Sequence, residues 1–552
     1  MLELRVLSPV AKVLPMEAPD ACEPRFSGLL NETISFQLAY RVAEIPSPLE
    51  RHHLRLEIES PIRENIRVRR VKYVPVRMGA FSNADSYYVN GGNPALYPDP
   101  LIDIPPHGIH VLPKSWESLW FDVQPNGQLT AGDYSVTLRL FDEDSEGQPL
   151  CGEATVQIHL INAMLPKQTL IHTKWFHCDC LADYYEVPIF SEEHWKIIER
   201  FVQCAVDHGI NTILTPTHTP PLDTRVGTYR ATVQLVDITV RDGKYTFGFD
   251  KLRRWVDMCK RCGVEYYEIA HPFSQWGARY APQIVANTED VVKRIFGWDD
   301  PGTGEAYMTF LDAYLPALLD ELESLGIADK CLFHVSDEPH VDHLEGYLAA
   351  KALVKKHMRG QRIIDALSDV TFYDSGAVEY PIPGSNHIEP FLERDIPERW
   401  TYYCCGQGVD VSNCFLAMPG ARTRILGTQM YKFDIKGFLQ WGFNFYYAQG
   451  SDYLINPWVD PDNDCFGQAG DGFQVYPGFR GEPVPSIRMM HTVEALQDQR
   501  AMQLLESLSD RETVLKLIDE GIEPIRFDVY PHEDSYILNL REKINAEIEK
   551  RI

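Results

Sequence analysis

Alternating apolar and polar positions dominate the first part of the chain and predict β-strands. In NETISFQLAYRV the apolar residues Ile34, Phe36 and Leu38 fall on one face of an extended segment, and GDYSVTLRLF and ATVQIHL repeat the pattern. Turn residues separate these runs, and no long amphipathic helix pattern interrupts them. The alternation therefore predicts an all-β sandwich domain over residues 1–165.

One connection within this domain is too long and too aromatic for a simple turn. It covers residues 82–108, SNADSYYVNGGNPALYPDPLIDIPPHG. Connections of this length usually carry function or bridge domains. The sequence leaves open which of the two applies here.

From about residue 168 the pattern changes to short apolar runs that alternate with helical ones. In SEEHWKIIERFVQCAVDHG, Trp195 and Ile198 share a helical face and Ser191 is placed to cap the start. Strands are predicted in TLIHTKWFHCD, INTILTP, VEYYEIAH, CLFHVSD, RIIDALS, SNHIEPF, RWTYYCC and KGFLQWGFNFYY. Eight strands that alternate with helices over roughly 300 residues predict an α/β fold with a (β/α)8 TIM-like barrel. We expect the barrel over residues 166–510 and a C-terminal extension, residues 511–552, that packs on it.

The charge of the chain narrows its possible partners. Lys and Arg number 52 against 79 Asp and Glu, which gives a formal net charge of -27, and no basic run relieves it. Such a chain repels a phosphate backbone, so nucleic acid is not an expected partner. A small neutral saccharide or the end of a glycan is favoured instead. A homo-oligomer stays open.

The amino terminus and the cysteines predict a cytoplasmic location. MLELRVLSPVAKVLP carries charged residues and a proline where a signal peptide needs a continuous apolar core. No apolar run reaches the roughly 18 residues of a membrane span, so no membrane partner is expected. The 12 cysteines are scattered, which suits reduced thiols better than a disulfide framework.

The residues at the predicted strand ends favour a sugar-binding site. In a barrel of this kind the chemistry lies at the carboxyl ends of the strands. A pyranose needs aromatic side chains for its C–H face and hydrogen-bonding groups for its hydroxyls, and few cations. The predicted substrate-binding residues are Trp175, His177, His271, Gln275, Trp276, His387, Tyr402, Tyr403, Trp441 and Asn444. Because neighbouring strand residues point to opposite sides, we expect only one of the two tyrosines to face the ligand.

Two adjacent acids, Asp337 and Glu338, follow the apolar run CLFHVS and precede Pro339. Neighbouring strand residues point to opposite faces, so these two can serve one ligand only where the strand ends. Pro339 is expected to hold Glu338 in an extended conformation and to stop the strand. Two carboxylates this close in a desolvated pocket are not easily both charged, so one pKa is expected to be raised.

The adjacency of the two acids favours a particular mechanism. Conventional glycosidases place their acids on opposite sides of the scissile bond, about 5 to 9 Å apart. If the substrate's own 2-acetamido oxygen attacks the anomeric carbon, the protein needs one acid for the leaving oxygen and one carboxylate to orient the acetamido N–H. We assign the acid role to Glu338, which has the longer reach, and the orienting role to Asp337.

A family resemblance agrees with this interpretation. The segments HVSDEP, AHPFSQWGARYAPQI, LQWGFNFYY, GDGFQVYPG and PSIRMMHTVEALQD together resemble the glycoside hydrolase-like domain of unknown function 4091, which is related to glycoside hydrolase family 123. The resemblance covers the barrel and, more loosely, the sandwich. It implies a retaining, exo-acting β-N-acetylgalactosaminidase that uses substrate assistance, with Asp337 and Glu338 as its adjacent acids.

Plainer interpretations stay open beside these. Asp337 and Glu338 could cap the helix that follows them, and Trp276 and Trp441 could be core aromatics. The HCDC segment at residues 177–180 lacks the two-residue gap of a zinc knuckle and has no second pair, so neither a metal nor a cofactor is expected.

Two rival functions also remain. One is a conventional glycosidase that acts on a sugar without the acetamido group, with Asp369 or Glu389 as the partner acid. The other is a catalytically silent carbohydrate-binding protein that keeps the barrel for recognition.

Overall fold

A computed structural model describes residues 2–43 and 52–552. Its first part consists of strands, which are β1 Leu2–Leu7, β2 Arg25–Leu29, β3 Ile34–Val42, β4 His53–Glu59, β5 Ile66–Val76, β6 Ala95–Asp103, β7 Ile109–His110, β8 Trp116–Val123, β9 Gly132–Asp142 and β10 Leu150–Ile161. They form two five-stranded sheets, in the orders β1-β3-β8-β5-β6 and β2-β10-β9-β4-β7. Side chains of both sheets, including Phe36 and Ile158, share one hydrophobic cluster, so the two sheets pack face to face.

The second part is built around a parallel barrel. Its strands are β11 Ile171–Lys174, β12 Thr212–Thr215, β13 Asp237–Arg241, β14 Lys244–Gly248, β15 Tyr266–Ile269, β16 Ile284–Thr288, β17 Val291–Phe296, β18 Cys331–Phe333, β19 Arg362–Leu367, β20 Tyr380–Pro383, β21 Arg399–Tyr403, β22 Ile435–Gln440, β23 Val475–Pro477 and β24 Pro483–Pro485. One sheet of eight strands has the order β20-β19-β18-β15-β12-β11-β22-β21, and its pairings are parallel. A parallel bridge between Gly384 and Tyr402 joins its two ends, so the barrel is nearly closed.

The sixth barrel strand lies outside the segment in which it was predicted. The segment SNHIEPF forms a 3-10 turn, Ser385–His387, followed by a short helix, and the strand is the preceding β20. The sequence pattern did not predict this strand because it contains Pro381 and Pro383, and a proline has no N–H to donate to a sheet. An isolated parallel bridge between Gly384 and Tyr402 joins this end of the sheet to β21.

Helices cover the outside of the barrel and extend the chain beyond it. They are α1 Cys178–Tyr184, α2 Glu192–Asp207, α3 Asp250–Cys262, α4 Glu305–Ser324, α5 Leu344–Lys355, α6 Thr371–Asp374, α7 Glu389–Leu392, α8 Gly420–Arg424, α9 Leu426–Lys432, α10 Ile487–Leu508, α11 Arg511–Ile518 and α12 Asp534–Glu549. Ser191 caps α2 as predicted, because its side chain accepts a hydrogen bond from the backbone N–H of His194. Helices α11 and α12 share a hydrophobic cluster with Leu29 of β2 and Ala421 of α8.

The long connection 82–108 fastens the sheets to the barrel region. It contains the edge strand β6, whose Asp99 forms a fully buried, two-pronged ion pair with Arg488 of α10, each prong 2.9 Å long. The hydroxyl of Tyr476 donates to the same carboxylate at 2.6 Å. Nearer its start, the hydroxyl of Tyr88 donates to the carbonyl of Gly408 at 2.7 Å. The connection thus bridges the two parts of the chain, one of the two roles left open by the sequence.

Among the described residues, no helix combines the length and the apolar character that a bilayer crossing requires.

Candidate active site

A cavity of about 480 Å³ opens at the carboxyl ends of the barrel strands. Both predicted catalytic acids, Asp337 and Glu338, line it. The predicted sugar-binding residues that line it with them are Trp175, Gln275, Trp276, Tyr402 and Trp441. Tyr402 of β21 and residues that follow the ends of β11, β15, β18 and β22 therefore converge on one space, as expected for this end of a barrel.

The backbone of the acid pair is held in an unusual conformation. Asp337 and Glu338 lie beyond the end of β18, and Glu338 has a φ of +43°, in the left-handed region. Its N–H donates to the carbonyl of Ala366 at 3.1 Å, while the carbonyl of Asp337 accepts from the N–H of Trp276 at 2.9 Å. The extended conformation expected for Glu338 is therefore wrong. Pro339 disfavours mainly the right-handed helical region for its predecessor, and these contacts select the left-handed one, at a cost of about 1–3 kcal/mol.

Each carboxyl of the pair has its own protein partner. The side-chain N–H of Gln275 donates to Asp337 at 2.8 Å, and the hydroxyl of Tyr402 donates to Glu338 at 2.7 Å. The oxygen of the Gln275 amide accepts the backbone N–H of Asp223 at 2.7 Å, which fixes the amide so that its nitrogen faces Asp337. The two neighbouring acids are thus oriented by residues from different parts of the barrel, the loop after β15 and strand β21.

The charge of Glu338 acts on the groups around it. Burial, and next the charge of Glu338, raise the pKa of Asp337 well above its usual range. Burial, and next the same Glu338 charge, also raise the pKa of Tyr402, so this hydroxyl stays protonated and donates. The carboxyl of Asp337 is therefore shifted upward, as was predicted for one acid of the pair.

A buried network of charges supports the floor of the cavity. The indole N–H of Trp175 donates to Glu268 at 2.7 Å, and the ring of His334 lies 2.6 Å from Glu268 and 3.2 Å from Asp365. Although burial opposes it, the two carboxylates raise the pKa of His334 to about 9, so the ring is an imidazolium at neutral pH. Its positive charge favours the ionised form of Asp337. Glu268, a charged residue inside the apolar strand VEYYEIAH, was the sequence signal for this network.

Trp276 stands at the mouth of the cavity on a strained segment. It is 54% exposed, and Trp276, Gly277 and Ala278 have φ values of +58°, +110° and +58°. The hydroxyl oxygen of Ser336 accepts the N–H groups of Gly277 and Ala278 at 3.3 and 3.2 Å. A side chain at Gly277 would collide with His343. The segment directly before the acid pair therefore braces the loop that carries this tryptophan, which is not a core residue.

Trp441, unlike Trp276, is buried and is held by a hydrogen bond from its indole. It is 7% exposed, and its indole N–H donates to Asp471 at 3.0 Å. Burial raises the pKa of Asp471 to about 7. The indole packs edge-on against Phe466, which also lines the cavity. Trp441 thus belongs both to the core and to the cavity wall.

Two of the predicted sugar-binding residues, His177 and Asn444, form hydrogen bonds with each other outside the cavity lining. The backbone N–H of His177 donates to the side chain of Asn444 at 2.9 Å, and the Asn444 amide donates back to the His177 carbonyl at 3.0 Å. Both residues are buried. This exchange links the end of β11 to the chain after β22, and neither residue is among those that line the cavity.

Three other predicted positions also lie away from the cavity lining. His271 is fully buried and stacks on His334 at 3.9 Å. Tyr403 points into a hydrophobic cluster outside the barrel, so Tyr402 alone of the two faces the cavity, as predicted. His387 is exposed in the turn after β20, because the predicted strand there does not form.

Several cavity residues are not among the predicted substrate-binding residues. They come from the loop after β12 and from positions beyond β21 and β22, and they are Asp223, Thr224, Arg225, Val226, Cys404, Cys405, Gln449 and Phe466. The loop PPLDTRVGT does follow a predicted strand, but its polar residues lie well past the strand end. Only the tertiary fold returns them to the cavity.

The structure also bears on the plainer interpretations. The helical segment after the acid pair begins at Val341, with His340 and not Asp337 or Glu338 in the capping position. Asp369 accepts the backbone N–H of Thr371 and is not among the cavity-lining residues, nor is Glu389. The acid pair is thus not a helix cap, and neither predicted partner acid shares its cavity.

One buried group has the composition of a metal site. Ligand atoms of His271, His334 and Asp365 lie within 4.8 Å of one another. The two imidazole rings are stacked, however, so their in-plane lone pairs do not converge on one point, and both nitrogens of His334 already face carboxylates. The HCDC segment begins helix α1, where Cys178 and Cys180 are buried. Neither group has the geometry of a cation site.

Comparisons with known proteins agree with this geometry. The family model of the glycoside hydrolase 123 catalytic domain matches residues 175–505. A family 123 glycoside hydrolase from Clostridium perfringens, whose structure was solved to explain glycolipid glycan hydrolysis, has a TM-score of 0.75 at 13% identity and covers 100% of this chain and 98% of its own. No curated protein sequence matches the chain.

Two further solved structures are more distant. A glycosyl hydrolase family 2 member from Bacteroides cellulosilyticus has a TM-score of 0.27 at 10% identity, over 82% of this chain and 47% of its own. A glycoside hydrolase family 5 protein from Bacteroides vulgatus has a TM-score of 0.32 at 11% identity, over 62% of this chain and 68% of its own.

A nearly closed parallel barrel with an acidic, aromatic cavity at its strand ends defines a barrel enzyme that acts on carbohydrate. The chain belongs to glycoside hydrolase family 123, and it is a glycoside hydrolase. The narrower resemblance to the domain of unknown function 4091 stays a prediction.

Proposed function

We propose that this enzyme removes a terminal β-linked N-acetylhexosamine, with N-acetylgalactosamine as the leading candidate, by a retaining, substrate-assisted mechanism. The observation that carries the proposal is the geometry of the acid pair. Adjacent Asp337 and Glu338 open into one cavity, and each is oriented by a different partner, Gln275 or Tyr402. Two neighbouring acids with separate tasks suit a sugar that supplies its own nucleophile.

In the first step the acetamido oxygen attacks the anomeric carbon and the bond to the leaving oxygen breaks. Glu338 gives its proton to that oxygen, while Asp337 accepts the acetamido N–H and balances the positive charge of the resulting oxazolinium ring. In the second step water attacks the anomeric carbon from the vacated face, the bond between this carbon and the acetamido oxygen breaks to restore the acetamido group, and Glu338 takes the proton of the water. Two inversions give net retention of configuration.

The raised pKa of Asp337 fits this sequence of steps. In the empty site burial and the charge of Glu338 favour a proton on Asp337. Donation of the acetamido N–H to Asp337 favours its ionised form instead, because a hydrogen bond to a charged group stabilises the charge. Substrate binding thereby favours the ionised form of Asp337 that the orienting role requires.

An assay with matched aryl glycosides tests the proposal. We expect turnover of the 2-acetamido-β-galactoside with retention of configuration, and inhibition by a thiazoline analogue of the oxazolinium ring. Turnover of the plain β-galactoside, without thiazoline inhibition, would support a conventional glycosidase. Binding of N-acetylgalactosamine without any turnover would contradict the catalytic proposal.

The domain division is part of the proposal. We assign residues 1–165 to an N-terminal β-sandwich, residues 166–510 to the catalytic (β/α)8 barrel and residues 511–552 to a C-terminal extension. The hydrophobic cluster shared by the two sheets supports the first unit, and the single cluster that α11 and α12 share with α10 supports the packing of the extension on the barrel unit. The cytoplasmic location stays a prediction.

A further inference from the structure

A third carboxyl, that of Asp223, lines the cavity on the loop after β12. The backbone of this residue is anchored on both sides. Its N–H donates to the side-chain oxygen of Gln275 at 2.7 Å, and its carbonyl accepts the hydroxyl of Ser451 at 2.6 Å. Asp223 also has a φ of +47°, which only a well-supported loop maintains in a residue other than glycine. The protein therefore fixes the backbone from which this side chain extends.

The carboxyl itself has no such support. Within residues 2–43 and 52–552, no hydrogen bond or ion pair reaches the side-chain oxygens of Asp223. Nearby acids differ from it: Asp179 pairs with Arg230, and Asp452 pairs with Arg225. Burial raises the pKa of Asp223 to about 7, and the charge of Glu338 adds to this, against the opposing charge of Arg230. A half-buried carboxyl that lines the cavity and has no donor from the protein is placed to accept a hydrogen bond from a ligand.

The bridging amide defines which part of a substrate Asp223 can reach. The same Gln275 side chain joins the backbone of Asp223 to the carboxyl of Asp337. Asp223 therefore lies on the Asp337 side of the cavity, where the proposed mechanism places the acetamido group and not the leaving group. The groups that a pyranose presents on that side are its ring hydroxyls, and each is a hydrogen-bond donor.

We propose that Asp223 is a specificity-determining residue that accepts a hydrogen bond from a ring hydroxyl of the sugar whose acetamido group meets Asp337. This inference rests on the proposed function. A charged or half-charged acceptor bonds a hydroxyl strongly, and its loss leaves an unpaired donor on the sugar. Asp223 therefore selects the sugar by one hydroxyl, while Asp337 and Glu338 carry out the reaction.

The test compares wild type and Asp223→Ala on the 2-acetamido aryl glycoside and on its 3-deoxy, 4-deoxy and 6-deoxy analogues. On the parent we expect kcat/KM to fall roughly 10- to 100-fold, the range of a hydrogen bond to a charged group. On one of the deoxy analogues the wild type should already show that loss, and Asp223→Ala should add less than about twofold to it. Asp223→Asn, which keeps an acceptor oxygen and the side-chain volume, should lose less than Asp223→Ala.

Glu389→Gln is the matched control, because it removes a negative charge from an exposed carboxyl that is not among the cavity-lining residues. It should leave kcat/KM on every analogue within about twofold. Asp223→Asn also covers the case in which the alanine variant fails to fold, and it should still lose about 3-fold or more on the parent, because a neutral amide oxygen accepts a hydroxyl less strongly than a carboxylate does. If Asp223→Ala matches the wild type on the parent and on every analogue, or if Asp223→Ala does not fold and Asp223→Asn matches the wild type on all of them, the proposal is wrong.

Two further outcomes would overturn the proposal. An equal loss on all substrates, with azide restoring Asp223→Ala and forming a glycosyl azide, would make Asp223 a nucleophile. An equal loss on all substrates without rescue would give it a structural role. Failure of the proposed function is a separate result: if the wild type hydrolyses only the plain galactoside, the same deoxy series on that scaffold still tests Asp223.

Discussion

Two groups of buried charge in this molecule follow opposite rules. Between the sheets and the barrel region, Asp99 faces Arg488 in a fully buried pair, and each remaining N–H of the guanidinium finds a carbonyl. In the cavity, Asp223, Asp337 and Glu338 converge, and the guanidinium of Arg225 at the rim is already paired with Asp452. The charges of the first group are fully paired within the protein. In the second group the carboxyl of Asp223 has no hydrogen-bond donor among the described residues.

The comparison indicates which buried charges contribute to stability and which contribute to function. A buried ion pair with all its hydrogen bonds satisfied is costly to break, because removal of one partner leaves the other charge uncompensated. An acid whose pKa is raised by burial lowers the stability of the fold when it is ionised, so its removal relieves this cost. Substitutions at the interface should therefore lower stability and spare activity, and substitutions in the cavity should do the opposite.

The largest effect is expected for Glu338→Gln, which removes the proton donor. On substrates with poor leaving groups kcat/KM should fall about 10²–10⁴-fold, the contribution of general acid catalysis. On activated aryl glycosides the loss should be far smaller, because their leaving groups depart without protonation. The measurement is kcat/KM across aryl leaving groups of graded pKa. An equal loss on all of them would remove Glu338 from the acid role.

Asp99→Ala should give the next largest effect, and on stability instead of activity. It leaves Arg488 buried without its partner, so the free energy of unfolding should fall by about 3–5 kcal/mol. Urea denaturation measures this, and kcat/KM per folded molecule should stay unchanged. Asp103→Ala, on the same strand, is the control: its ion pair with Arg67 is exposed and should contribute less than about 1 kcal/mol. Equal losses for the two variants would contradict the contrast between interface and surface.

Asp337→Asn should lower kcat/KM about 10²–10³-fold on good and poor leaving groups alike, because it weakens the attacking acetamido group itself. Its effect on stability should depend on pH. The pKa of Asp337 is higher in the folded than in the unfolded protein, so its ionisation costs stability as the pH rises above the ordinary carboxyl range. The melting temperature of the variant relative to wild type should therefore increase from pH 4 towards pH 8.

A carboxyl with the opposite shift provides the control for this pH dependence. Although burial opposes it, Arg422 lowers the pKa of Asp85, so this group adds stability above the ordinary carboxyl range and loses it as the pH falls. Asp85→Asn should thus be destabilising near neutral pH and less so in acid. Parallel curves for the two variants would show that the charge of Asp337 is not what strains the cavity.

The sequence predicts the parts of this molecule that depend on local patterns. Strand and helix periodicity locates most barrel strands, and the acids after CLFHVS are found because they break an apolar run. The strand with Pro381 and Pro383 is missed, because its pairing comes from the barrel and not from its own propensity. Asp223 is missed for a related reason: it lies far along a loop, and only Gln275 and Ser451 bring it back to the cavity.

The backbone conformation of Glu338 could not be predicted from the sequence for a third reason. The rule for residues before proline concerns local sterics, whereas its left-handed backbone is set by contacts with Ala366 and, through Asp337, with Trp276. Interactions between distant segments decide the detailed geometry of the site, although local chemistry identifies its acids.

The smallest effect is expected for Trp276→Ala, at the outer edge of the cavity. Trp276 is half-exposed, so its removal should change the free energy of unfolding by less than about 1 kcal/mol. If the indole stacks on the sugar or on the group attached to it, KM should rise roughly 2- to 12-fold with little change in kcat, the range of an aromatic contact. Trp276→Phe should retain most of the affinity. A marked loss of stability with unchanged KM would instead show that Trp276 supports the strained loop. Trp276 would then be a structural aromatic residue, although it lies at the cavity mouth.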